Sequence, residues 1–150
     1  LYDLNIYNLH FVMGVLGTPK EVIYRPNLGF NGIDISGTAL LDYDDYTVVC
    51  SAAKDSESIS GIVFQGEKGY MELVGAPNAC ALVKVHKKGE EEILINKEKY
   101  NHRMVNEFVA FTEIFKQQDL TICYKTLEHS LNVMKVLEQA RISGKVEFNI

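Results

Sequence analysis

Apolar side chains near the start of the chain recur at near-helical spacing. The positions are Leu4, Leu9, Val12, Met13 and Leu16. Gly17 follows them as a stop signal, and the Gly-Thr-Pro segment at 17–19 breaks any helical pattern. The pattern therefore predicts an amphipathic helix over residues 3–16.

Seven runs rich in β-forming residues follow, and short polar turns separate them. We expect strands at Glu21–Tyr24, Ser36–Tyr43, Tyr46–Ala53, Ile59–Gln65, Tyr70–Val74, Ala81–His86 and Glu91–Ile95. The turns include Asp44-Asp45 and the segments 54–58, 66–68 and 87–90. Connections this short favour hairpins, so most of the sheet is expected to be antiparallel.

The last third of the chain returns to a helical period. One helix is expected to open at Asn101 or His102, and a second begins near Lys125 and ends around Ser143-Gly144. Strands followed by helices indicate an α+β domain with helices on one face of an open sheet. The strand Thr47–Ala53 is apolar or small on both sides, so both faces should be covered. The simplest cover is a second copy, which predicts a homodimer through the open sheet face.

Composition places the chain among ordinary globular domains, because 47% of its 150 residues are hydrophobic and 23% are charged. A net charge of -5 and scattered basic residues argue against a nucleic-acid partner. No apolar run is long enough to cross a bilayer, and no leader pattern opens the chain. Three dispersed cysteines, Cys50, Cys80 and Cys123, favour a reducing compartment and are interpreted as buried, inert thiols. These features predict a cytoplasmic protein without membrane contact.

The first predicted helix also places three side chains with acid–base chemistry on one face. Asp3, Tyr7 and His10 stand at positions i, i+4 and i+7. A carboxylate, a phenol and an imidazole together can bind a hydroxyl group and relay its proton. In the alternative interpretation, the acid favours the helix dipole, the phenol is a packed aromatic and the imidazole is structural. The spacing alone leaves both interpretations open.

Other titratable groups are weaker candidates. His86 lies beside lysines near a turn and is expected to be solvated, and His129 lies on the exposed-looking side of the last helix. His102 with Arg103 could contact an anion at a helix start, whereas Asp44-Asp45 offers too few ligands for a calcium site. No metal site is predicted. The chain contains no GxGxxG motif, so it is expected to bind neither NAD nor NADP by itself.

The order and spacing of several short motifs resemble one family. The matching segments are 3–10 with the Leu16-Gly17 exit, 31–34, 42–46, 66–72, 107–108 and 130–138. They resemble the C-terminal domain of the glucose-fructose oxidoreductase / inositol dehydrogenase / rhizopine-catabolism family, over nearly the whole chain. Its helix has the form Asp-x-Gly-x-(His or Tyr), and here Asn5 replaces the glycine.

The resemblance implies a fold like that of the C-terminal domain of glyceraldehyde-3-phosphate dehydrogenase. It also implies that residues 1–150 form one domain that binds substrate and forms the dimer. It implies that Asp3 binds or orients substrate and that Tyr7 is the catalytic acid/base. His10 lies three residues past the acid/base position, so the catalytic role is not carried to it, and it stays a substrate-binding candidate only by its place on the same helix face. In the family, a separate Rossmann domain binds NAD(P), and its Glu-Lys-Pro motif supplies a catalytic lysine. Neither is found here, and the chain opens at Leu1 without a lead-in to the helix, so we expect a piece of a longer protein.

Two functions remain open from the sequence. The first is the substrate-binding half of an NAD(P)-dependent oxidoreductase that acts on a sugar, polyol or related hydroxy-carbonyl compound. As the full-length protein it would be an enzyme, while the present chain alone would be inactive. The second is a non-catalytic dimerisation or ligand-sensing module with the same fold. The pairing of Asp3 with Tyr7 favours the first, because a sensor would not need both groups.

Overall fold

The computed structural model describes residues 1–96, 100, 102 and 104–147. Among these residues it contains three helices and seven strands. In chain order they are α1 (Asn5–Leu16), β1 (Glu21–Leu28), β2 (Asp34–Tyr43), β3 (Tyr46–Ala53), β4 (Gly61–Gly66), β5 (Gly69–Val74), β6 (Leu82–Lys87), β7 (Ile93–Asn96), α2 (Met104–Gln117) and α3 (Leu120–Ser143). They divide into two compact units. Unit 1 comprises Leu1–Glu57 with Tyr124–Ile150, and unit 2 comprises Ser58–Cys123.

Unit 1 is a three-stranded antiparallel sheet in the order β1-β2-β3, packed against α1 and α3. Alternation along the strands directs every second side chain to the helices. The buried residues of this core are Leu9, Val12, Met13, Val22, Tyr24, Ala39, Leu41, Tyr43, Cys50, Val133, Val136, Leu137, Ala140 and Val146. The core therefore holds α1, which carries the predicted site, against the sheet.

Tyr24 is the largest fully buried side chain of this core, and two glycines make room for it. A Cβ atom at Gly37 would stand 2.2 Å from the Tyr24 hydroxyl, and one at Gly144 would stand 2.7 Å from its ring. The hydroxyl donates a 2.7 Å hydrogen bond to Asp34. The Tyr24 backbone N–H donates to the Ser143 hydroxyl at 3.2 Å, which joins β1 to the end of α3.

The opposite face of the unit 1 sheet carries an apolar row. Ile23, Leu40 and Val49 lie side by side in the strand register, and Val49 is 63% exposed. The flanking positions are polar, and the Thr38 and Ser51 hydroxyls hydrogen-bond at 2.8 Å. β3 thus has apolar side chains on both faces, with Cys50 buried on the inner one.

Unit 2 contains a four-stranded antiparallel sheet in the order β4-β5-β6-β7. One face is mostly apolar by register, with Ile62, Phe64, Met71, Leu73, Val83, Val85, Ile93 and Ile95. On the other face Glu72 pairs with Lys84 at 3.6 Å, and Tyr70 stacks on His86. His86, expected to be solvated, is partly exposed, and its Nε2 lies 2.6 Å from the Glu92 carboxylate. The Tyr70 ring on the neighbouring strand covers the His86 ring, and this contact could not be inferred from the sequence.

The predicted α+β class with antiparallel strands and helices is confirmed. The strands nevertheless form two sheets instead of one continuous sheet, because the polar residues 54–60 interrupt the ladder between β3 and β4. Cys80 and Cys123 are exposed, so only Cys50 is the buried thiol that was expected at all three positions. Burial raises the pKa of the Cys50 thiol to about 11. The predicted helix start at Asn101 and the Arg103 candidate lie outside the described residues.

Within the part of the chain that the structure describes, no helix combines the length and the apolar character needed to span a bilayer.

Candidate functional site

Asp3 and Tyr7 lie at the start of α1, one helical turn apart in sequence. Asp3 belongs to the turn before the helix, and its carboxylate forms an ion pair with the Lys54 ammonium group. Tyr7 is in the first turn of the helix and is 45% exposed. Its hydroxyl has no hydrogen-bond partner among the described residues. Both groups are therefore accessible to a molecule that approaches this end of α1.

Lys54 reaches Asp3 because of where β3 ends. The strand runs to Ala53, and the Lys54 backbone N–H then donates to the Ile35 carbonyl at 2.9 Å, which fixes the strand exit. Both members of the ion pair are more than half exposed, so it adds little stability. Its chemical consequence is larger, because it places a cation beside the proposed acid/base pair.

The first turn of α1 is attached to β3 by two asparagines. The Asn5 amide nitrogen donates to the Cys50 carbonyl at 3.1 Å. The Asn8 amide nitrogen donates both to Asn5 Oδ1 at 2.8 Å and to the Ser51 carbonyl at 3.1 Å. The Leu4 N-cap makes no side-chain capping bond, so these contacts hold a helix start that lacks an ordinary cap.

The residues that precede the helix are joined to α3. The Tyr2 hydroxyl donates a 2.8 Å hydrogen bond to Glu138, and Arg141 binds the same carboxylate through two nitrogens at 2.8 and 2.6 Å. The Arg141 hydrogen bonds, followed by that of Tyr2, lower the pKa of Glu138 to about 2. Asp3 thus follows a residue that is anchored on α3.

His10 points away from this pair and toward α3. Its Nδ1 lies 3.2 Å from His129 Nε2, and the two rings are tilted with centroids 5.2 Å apart. Burial, followed by the nearby His129, lowers the pKa of His10. His129 was expected on the exposed side of its helix and is instead half-buried in this contact. The structure brings His10 to His129 and shows no contact between His10 and Asp3 or Tyr7 among the described residues.

We expect the contact between His10 and His129 to stabilise the fold less at acidic pH. A histidine with a lowered pKa is held neutral in the folded state, so its contribution to stability is complete above pH 6.5 and is lost as the pH falls through the folded-state pKa. NMR titration of the His10 ring checks this, with a midpoint expected below 6.5. In a His129→Gln variant the midpoint should rise, since one cause is removed. A His10 midpoint at or above 6.5 in the parent protein would contradict the assignment.

The site also includes Lys54 and Asn8, which the sequence pattern did not single out. Both have partners more than 40 residues away in the chain, and no local spacing indicates such pairs. Within the described residues, no cluster of three or more His, Cys, Asp or Glu side chains could hold a metal ion. The start of α1 offers an exposed phenol and, four residues earlier, a carboxylate paired with an ammonium group. Such a set can bind a hydroxyl group and move its proton.

Similar proteins were found by sequence, although no family model matches the chain. Scyllo-inositol 2-dehydrogenase (NADP(+)) IolU of Bacillus subtilis is 28% identical over 144 residues, which are 94% of this chain and 43% of IolU. The oxidoreductase YgjR of Escherichia coli is 31% identical over 71 residues, which are 47% of this chain and 22% of YgjR.

Solved structures of similar fold include two oxidoreductases. yvaA of Bacillus subtilis superposes with a TM-score of 0.68 at 14% identity, over 97% of this chain and 49% of its own. A protein from Klebsiella pneumoniae gives a TM-score of 0.60 at 16% identity, over 91% of this chain and 45% of its own. The chain spans less than half the length of each of these relatives.

The chain has the α+β fold of a dehydrogenase C-terminal domain. The comparisons also confirm the predicted resemblance to the C-terminal domain of the glucose-fructose oxidoreductase / inositol dehydrogenase / rhizopine-catabolism family, because the relatives match this chain as their C-terminal part.

Proposed function

We propose that residues 1–150 form the substrate-binding and dimerisation domain of an NAD(P)-dependent oxidoreductase. Its substrate is a sugar, a polyol or a related hydroxy-carbonyl compound. The observation that carries the proposal is the exposed pair at the start of α1, Asp3 and Tyr7, at the spacing of the family's substrate-binding carboxylate and acid/base residue. The name of IolU, which specifies a polyol and NADP(+), supports the same substrate class.

The roles follow from the chemistry of the side chains. The Asp3 carboxylate accepts a hydrogen bond from a substrate hydroxyl, and its ion pair with Lys54 orients it. Tyr7 exchanges a proton with the hydroxyl that reacts, which typically contributes about 10²–10⁴-fold in rate. His10 contributes from the next turn of α1 only if the substrate extends along the helix, because its ring is engaged with His129.

The described residues do not form a dinucleotide cradle of the usual kind. Such a cradle lies at a helix N-terminus that follows a parallel strand, and every strand pair described here is antiparallel. We therefore assign the nucleotide to the remainder of the full-length protein, since IolU is more than twice as long as the matched segment. Once bound there, the nicotinamide supplies or accepts the hydride.

Turnover by the full-length protein tests the proposal. It should oxidise at least one member of a panel of polyols and sugars with NAD or NADP, measured as nicotinamide absorbance. The present chain, as the control, should give neither turnover nor heat of nucleotide binding in calorimetry. A full-length protein that binds nucleotide but oxidises or reduces nothing in the panel would favour the non-catalytic module.

We also propose that the outer face of the unit 1 sheet pairs two copies of the protein. The row formed by Ile23, Leu40 and Val49 supports this, because an exposed apolar row across three strands is a self-complementary surface under two-fold symmetry. Light scattering should report a dimer at micromolar concentration. A Val49→Lys variant should dissociate it, and a parent protein that is monomeric would contradict the proposal.

A further inference from the structure

Asn5 is a buried polar residue at the start of α1. It is 1% exposed, and both ends of its amide are satisfied: Nδ2 donates to the Cys50 carbonyl at 3.1 Å, and Oδ1 accepts from Asn8 at 2.8 Å. A buried amide without partners is unfavourable, because it has given up its hydrogen bonds to water. The position of α1 is therefore constrained, because small displacements of the helix would break the hydrogen bonds of Asn5.

Asn8 adds a second point of attachment between α1 and β3. Its nitrogen reaches the Ser51 carbonyl at 3.1 Å, so neighbouring carbonyls of β3 each accept a bond from one asparagine of α1. One contact would leave the helix free to rotate about it, whereas two contacts fix both its rotation and its translation along the strand. The helix has no side-chain N-cap that could do this instead.

The same junction supports all the groups of the proposed site. Asn5 lies between Asp3 and Tyr7 in sequence, and β3 continues from the two acceptor carbonyls to Lys54, which pairs with Asp3. The side chain of Asn5 points inward while Tyr7 is exposed, so Asn5 can act on the reaction only through the placement of its neighbours. The family that the chain resembles has glycine here, which could make no such bond.

We propose that Asn5 is a positioning residue: its hydrogen bonds to β3 and Asn8 set the register of α1 that aligns Tyr7 with the substrate hydroxyl. The inference rests on the proposed function. Misplacement of a reacting group by about 1 Å can cost on the order of 10²-fold in rate. Loss of the attachment should therefore lower kcat without changing the affinity for the nucleotide.

The experiment uses the full-length protein with the polyol that it turns over best. Asn5→Asp keeps the size of the side chain but removes the donor to Cys50, and we expect kcat to fall about tenfold or more. The Kd of nucleotide should not change. Asn8→Ala removes the bond to Ser51 and the donor to Asn5 Oδ1 but keeps the Asn5–Cys50 bond, so it should reduce kcat less. Asn27→Asp is the matched control, because Asn27 donates to Ser36 at an exposed place away from α1, and it should retain the parent rate.

A double variant separates positioning from general damage to the fold. If Asn5 acts through Tyr7, then Asn5→Asp in a Tyr7→Phe background should cost no further rate. An additive loss, or a parent-like kcat in Asn5→Asp, would overturn the inference while Tyr7→Phe still reports on the proposed function. If Tyr7→Phe itself retains the parent rate, both are overturned. Should Asn5→Asp fail to fold, the same comparison is made with Asn8→Ala.

Discussion

Replacing Tyr7 with Phe in the full-length protein is expected to lower kcat by roughly 10²-fold or more, while the fold and the nucleotide affinity survive. Phe keeps the ring and removes only the hydroxyl, which has no hydrogen-bond partner among the described residues. No interaction within the described chain is lost, so a fall in rate reports on the reaction itself. Steady-state kinetics with the preferred polyol, together with nucleotide titration, would measure both quantities.

A tyrosine that acts as a base needs a cation near its phenol. Tyrosine ordinarily ionises near pH 10, and a neighbouring positive charge is needed to lower that value toward neutrality. The family's lysine from the nucleotide domain is the candidate for this charge.

Tyr46→Phe is the matched control for Tyr7→Phe. Tyr46 is similarly exposed, but it lies after the β2–β3 turn, where it stacks on Tyr43 with ring centroids 5.0 Å apart. Its variant should keep the parent rate. If Tyr7→Phe also keeps it, Tyr7 is only an exposed aromatic, and the acid/base role passes to a lysine or to His10.

Truncation of Leu137 to Ala is expected to cost about 2–5 kcal/mol of unfolding free energy. Leu137 is 0% exposed and lies where α3 contacts the core of unit 1. The helix cannot collapse into the cavity without moving Val133 and Val136, so most of the lost contact remains unfilled. Urea unfolding of the chain, followed by circular dichroism, measures the change.

Leu131→Ala provides the comparison on the same helix. Leu131 is 54% exposed, so its removal should change stability by only about 0.5 kcal/mol. Equal losses for the two variants would mean that α3 does not pack in the register described here.

Elements defined by local signals were predicted closely. β3 matches its expected bounds, because the Asp44-Asp45 turn and the polar residues after Ala53 mark both ends. α3 also ends where Gly144 was expected to end it. Patterns of this kind involve neighbours in sequence, so the sequence contains the information directly.

Two boundaries were missed for physical reasons. β1 was expected to end at Tyr24, before Pro26, but it continues to Leu28, because an edge strand tolerates a proline that lacks an N–H. α3 begins at Leu120 rather than near Lys125. The Asp119 carboxylate accepts from the Ile122 N–H at 3.0 Å, a helix cap that the apolar period did not reveal.

The site was predictable only as far as one helix reaches. Asp3 and Tyr7 could be paired because they lie four residues apart at the start of the predicted helix. The inward orientation of Asn5 depends on the register of β3, and the role of His129 depends on how α3 crosses α1. Neither relation is encoded in the spacing of nearby residues, so both required the tertiary structure.

The asparagine contacts to β3 also bear on self-association. β3 is a terminal strand of its sheet, and successive carbonyls of a strand point to opposite edges, so one of the Cys50 and Ser51 oxygens faces the open side. Open edges are templates on which strands of other molecules can add. With that acceptor occupied by an amide of α1, the edge is closed to extension at this point. The two side chains that hold α1 in place therefore also hinder strand addition at this point of β3.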